Sequence, residues 1–249
     1  MRGFRWRPGK GLVDLGVAAG FPDDATTDVE PSGINARGDV VGQIGNQNGS
    51  RSAFFWNGSR MSVIVDRGIA TGINDPGQVT GILLKPTSNG AFLYAHGNVR
   101  DLGVLPGAIN TEAYALNNQG HIVGKADIPA GPPFYFYSPL VLWTGASWKS
   151  LGTLAGDILA NPFGINAFDE IVGISADGKG GSRSFLWAGA MSAIPCPPGA
   201  SCEAVAINDA GTIVGFSNTS ALVWTGGRRR ALRRVLRDLG EPSGTRDRS

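Results

Sequence analysis

Histidine and cysteine are scarce in this chain, with two of each among 249 residues. A nucleophile–base arrangement needs a histidine close to a serine or cysteine. His96 and His121 each sit beside a turn glycine, far apart in sequence, and read as solvated turn residues. Two histidines and two cysteines do not make a zinc ligand set, and no D-x-[DN]-x-[DN]-G calcium loop occurs. No catalytic residue, metal site or cofactor is implied. No apolar run reaches the roughly 18 residues of a membrane-spanning helix, and Met1 opens onto "RGFRWRPGKG" without the apolar core of an export signal. Net charge is only +2. The one basic stretch, "GGRRRALRRVLRD" (226–238), reads as a charged edge strand that blocks aggregation, and no nucleic-acid partner is expected.

What the chain has in quantity is glycine and turn chemistry. "GINARGDVVG" (33–42) returns as "GINDPGQVTG" (72–81), "ALNNQGHIVG" (115–124), "GINAFDEIVG" (164–173) and "AINDAGTIVG" (206–215). Within each copy the asparagine (Asn35, Asn74, Asn117, Asn166, Asn208) bonds its own backbone two residues on. The glycine three positions later takes positive φ, so the apolar flanks fold back as antiparallel strands. In the fourth copy Asp169 stands in the glycine's place, and aspartate is among the few other residues that tolerate left-handed backbone. The asparagines are 39, 43, 49 and 42 residues apart, which is the period of a propeller blade.

Each copy has a second half. "AFFWNG" (53–58), "AFLYAHG" (91–97), "LVLWTG" (140–145), "SFLWAG" (184–189) and "ALVWTG" (221–226) end in an aromatic and a turn, and another β-favouring run follows. Trp6, Trp56, Tyr94, Trp143, Trp187 and Trp224 share one repeat position and read as packing between units. Four strands per unit predict an all-β fold: a β-propeller of five full blades, at about 33–66, 72–103, 113–152, 163–195 and 204–239. An open stack of hairpins is the alternative. "GFRWRPGKGLVDLG" (3–16) matches only the second half and predicts a half blade, so one domain covers 1–240 and a polar, disordered tail covers 241–249.

The pattern of "GIN..G.IVG" with "DLG" elements, recurring in register over residues 3–240, resembles the HAF repeat, a family of bacterial extracellular repeats. The resemblance implies export to the cell surface or beyond and a propeller-like fold, with no established reaction. The family's histidine is absent, replaced by Ser52, Gly90, Pro139 or Arg183. An exported chain that lacks a signal peptide, and that opens on a half blade, is expected to be part of a longer protein.

Three features stand outside the repeat. Cys196 and Cys202 flank "PPGAS" and are expected to be bridged. Asp23, Asp24, Asp28 and Glu30 form an acid-rich stretch where calcium is the one cation left open. Phe134, Tyr135, Phe136 and Tyr137 occupy the longest insertion, with some members free to stack on a ligand. In four-stranded meanders the long, variable connections all fall on one face, where loop functions gather. These features point to a non-catalytic, exported binding or adhesion scaffold, with an extracellular glycan or protein as partner. A glycan-processing enzyme using loop carboxylates and a purely structural array are the alternatives.

Overall fold

The computed structural model describes residues 1–46, 49–218, 220–225 and 228–231. Most of the arginine run and the tail at 241–249 lie outside them. The fold is the all-β propeller that the repeats predict: one two-stranded sheet followed by five antiparallel sheets, each a four-stranded meander, with Phe136–Tyr137 added as a fifth strand in the third. The half blade pairs Phe4–Arg7 with Gly11–Asp14. The first strands of the five blades are Thr27–Ile34, Gly68–Ile73, Asn110–Leu116, Leu159–Ile165 and Cys202–Ile207. Each begins several residues ahead of the repeated motif. Asp28 and Glu30 therefore lie in a strand and not in the linker that the composition suggests.

The core lies between sheets, because each blade is apolar on both faces. Phe54 and Trp56 pack back toward the half blade on Leu15, Ala18 and Val29. Val41 and Ala53 pack forward on Ala70, Val79 and Phe92 of blade 2. The same alternation joins blades 3 and 4 through Val123, Leu140 and Phe185, and blades 4 and 5 through Val172, Ala204 and Trp224. Phe54, Phe92 and Phe185 are fully buried, each worth about 1.5–3 kcal/mol of transfer free energy.

A bulge interrupts every first strand, at Ser32, Thr71, Tyr114, Phe163 and Val205. It explains the last glycine of each motif. A Cβ added at Gly42, Gly81, Gly124, Gly173 or Gly215 would lie well inside contact with the carbonyl oxygen of Glu30, Ile69, Glu112, Asn161 or Glu203. The bulge presses strand one onto strand two, so nothing larger than glycine fits.

The shared aromatic position splits. Trp56, Trp143 and Trp224 are buried, and Trp187 and Tyr94 are half-buried. Trp143 and Trp224 take a stacked or bonded partner from the preceding blade: the Arg100 guanidinium lies over the Trp143 ring, and Trp224 Nε1 donates to the Pro195 carbonyl. Trp6 departs from the packing role expected of it and is 61% exposed, since among the described residues no sheet lies on its outer side.

Candidate active site

The repeated asparagines do more than close their own turns. Each Oδ1 accepts the backbone N–H four residues on, those of Asp39, Gln78, His121, Glu170 and Thr212. Only Asn117, Asn166 and Asn208 also take the bond two residues on. The Nδ2 groups reach the next blade. Asn35 donates to the Asn74 carbonyl (3.2 Å), Asn74 to Asn117 (3.0 Å), Asn117 to Asn166 (3.0 Å) and Asn166 to Asn208 (3.2 Å). The first four are buried. This ladder draws the turns together around an axial cavity of about 170 Å³, lined by residues of all five blades that include Asp75, Asn118 and Asp209.

A parallel set of bonds runs one residue further on. Asp75 accepts the Ala36 N–H and Asn118 Nδ2, and Asp209 accepts the Ala167 N–H. The Ala36 amide and then Asn118 hold the Asp75 carboxyl below the ordinary aspartate range, so it stays ionised. An ionised carboxylate committed to two donors cannot serve as the general acid that glycoside cleavage needs.

At one junction the pattern changes. The residue four positions after the asparagine supplies an oxygen to Asn Nδ2 in blades 1, 2 and 4, from Asp39, Gln78 and Glu170. Blade 3 has His121 there, which offers no oxygen. Asp169 of blade 4 supplies it, accepting from Asn117 Nδ2 at 3.0 Å. The same carboxylate grips His121 Nδ1 with both oxygens, at 2.8 and 3.0 Å. Two acceptors on Nδ1 place the proton on that nitrogen and leave the Nε2 lone pair open. Asp169 holds φ at +61° where the other copies have glycine, a cost of about 1–2 kcal/mol for a residue with a side chain. The strained aspartate and its imidazole partner are both half-buried.

His121 is thus not the solvated turn residue that its sequence context suggests. His96 is, exposed and at φ 52°. The signal that could have found the pair was the missing glycine at 169, paired with a histidine one repeat earlier.

The structure does not assemble the loop candidates into one site. Asp23 pairs with Arg2, Asp28 with the Met1 amino group and Glu30 with Gln43. Asp24 caps its own turn through the Thr26 hydroxyl and N–H, which hold its carboxyl low. No cluster of three or more His, Cys, Asp or Glu suited to a metal ion occurs among the described residues. Two blades away, Phe134 packs beside Gly178 and Ile158, Tyr137 is half-buried, and Tyr135 and Phe136 are exposed. Cys196 and Cys202 are bridged, with Cα atoms 6.0 Å apart. No described helix is long and apolar enough to cross a membrane.

No family model and no curated protein matches the sequence. Solved structures match the fold at low identity. The acylaminoacyl peptidase of Pyrococcus horikoshii aligns at 13% identity with a TM-score of 0.52, over 87% of this chain and 35% of that one. A gluconolactonase from Xanthomonas campestris aligns at 14% and 0.48, over 81% and 74%. The β-propeller domain of the Trilobed protease from Pyrococcus furiosus aligns at 9% and 0.43, over 81% and 84%. The expectation of a non-catalytic scaffold is corrected here: the fold recurs within a peptidase chain, of which this chain spans about a third, and this chain carries an aspartate-oriented imidazole that composition alone had set aside.

Proposed function

We propose that the chain is a hydrolase in which His121, oriented by Asp169, acts as general base toward water. The observation that carries this reading is the two-oxygen grip of Asp169 on His121 Nδ1. Nε2 takes a proton from water as the water oxygen adds to a carbonyl carbon. The same proton passes to the departing alkoxide as the tetrahedral intermediate collapses. Asp169 stabilises the imidazolium between the two steps. No serine, threonine or cysteine bonds Nε2 among the described residues, so water is the nucleophile in this scheme.

The axial cavity favours a small polar substrate by its size and its polar turn lining; His121 and Asp169 are not among the lining residues, and Asn117, which is, connects it to the pair by donating to Asp169. An ester or lactone suits a site with one base, since an alkoxide leaves without the strong acid that an amine or a glycosidic oxygen requires. Export is part of the proposal: the bridged cysteines support an oxidising compartment, in line with the resemblance to extracellular HAF repeats.

Hydrolysis of a panel of small esters and lactones, followed by proton release, tests the reading. His121→Gln is expected to lower the rate on the accepted substrate about 100-fold or more. Asp169→Gly restores the residue of the other blades. It should lose activity comparably while keeping stability within about 1 kcal/mol, because relief of the positive φ offsets the lost bonds. Rates unchanged in both variants, or no substrate hydrolysed faster than in buffer, would overturn it.

A further inference from the structure

The half blade differs from the five full blades in the pairing of its first strand. Within each blade the second strand pairs with the third, so that Val40, Val79, Ile122, Ile171 and Ile213 lie opposite Trp56, Tyr94, Trp143, Trp187 and Trp224. The Phe4–Arg7 strand corresponds to a third strand, and it pairs only with Gly11–Asp14. Its inner edge is open. A cavity of about 330 Å³ lies there, lined by Phe4, Arg5, Trp6, Ser32, Ile34 and Val40 among others.

Three independent features mark this edge. Phe4, Trp6 and Ile34 are all more than half exposed, whereas Ile73, Leu116, Ile165 and Ile207, the counterparts of Ile34, are half-buried. The carbonyls of Asn74, Asn117, Asn166 and Asn208 each accept their own turn's N–H and an asparagine Nδ2 from the blade before. Among the described residues the Asn35 carbonyl accepts only the Gly38 N–H. Arg5 lies beside this cavity with its guanidinium over the Trp56 ring and its Nη1 donating to the Gly38 carbonyl, while its buried Nε has no hydrogen-bond partner among the described residues.

We propose that the Phe4–Arg7 edge is a β-augmentation site whose occupant is a hairpin carrying the first-half motif of this repeat, Gly-Ile-Asn-x-x-Gly-x-Ile-Val-Gly. The second strand of the hairpin pairs with Phe4–Arg7 and sets an Ile or Val opposite Trp6. Its asparagine donates to the Asn35 carbonyl and extends the ladder by one step. Backbone pairing supplies affinity, and the Ile and Asn positions supply specificity. Arg7, which donates to the Arg37 carbonyl across this opening, swings out to admit the turn.

The test uses the full chain and a synthetic peptide of residues 204–217 (AVAINDAGTIVGFS). Saturable one-to-one binding is expected, with slowed amide hydrogen exchange at residues 4–7. Ile213→Asp in the peptide should weaken binding at least about tenfold, since it replaces the apolar cross-strand contact with Trp6 by a charged group. Trp6→Ala in the protein, at an exposed position that leaves the fold intact, should weaken it similarly. No binding, equal binding of a scrambled peptide, or binding that leaves exchange at residues 4–7 unchanged would overturn the proposal. The outcome is independent of hydrolysis, because Trp6 is not part of the His121 site.

Discussion

Single residues carry two kinds of constraint in this repeat, and glycine separates them. Gly97 sits in a tight turn at φ 82° with open space where a Cβ would point, so its constraint is conformational. Gly124 has an ordinary backbone, but its Cβ would press on the Glu112 carbonyl oxygen and the Ala113 Cα. Gly97→Ala should cost about 1 kcal/mol. Gly124→Ala should cost about 3 kcal/mol, because relief requires the bulge at Tyr114 to move or the strand pair to part. Urea midpoints of the two variants decide this, and equal losses would mean that the bulge yields freely. The turn glycines were legible in sequence from their spacing. The packing glycines were not, since the carbonyl that excludes a side chain lies on a partner strand whose register is known only once the bulge is seen.

Among elements, the asparagine turn is the clearest case of partial legibility. Its hairpin role follows from Asn-x-x-Gly between apolar runs. The Nδ2 bonds instead join residues 39, 43, 49 and 42 apart, the repeat period itself. The sequence displays that period without revealing that the turns touch. Asn74 is buried and its amide bonds Gln78 and the Asn117 carbonyl. Asn208 is exposed and has no Nδ2 partner among the described residues. Asn74→Ala is therefore expected to cost about 2 kcal/mol more than Asn208→Ala, the difference coming from buried groups left unpaired. Thermal melts of both variants measure it; equal losses would show that the turns act singly and that the ladder adds nothing.

At the scale of the molecule, period and strand parity were enough to read the propeller, the half blade and the separation of short turns from long connections. They drew attention to the long loops and away from the axis. Composition favoured the long-loop face, with its acids and its Phe134–Tyr137 stretch, yet those acids are engaged locally. The organised charge lies on the opposite face, where the short turns meet at the axis. His121 and Asp169 are 48 residues apart, and each looks like a turn residue alone. Only the closing of blade 4 on blade 3 makes them a pair, with Asp169 in a backbone conformation that glycine would adopt more readily.

The claim on which this account rests is that Asp169 fixes the proton of His121 on Nδ1 and leaves Nε2 as the base. Nitrogen-15 NMR of the two imidazoles measures this directly, with exposed His96 as the internal reference. A single Nδ1–H tautomer is expected for neutral His121, lost in Asp169→Asn, beside a solvent-averaged signal from His96. An Nε2–H tautomer at His121, or two histidines that cannot be told apart, would contradict it.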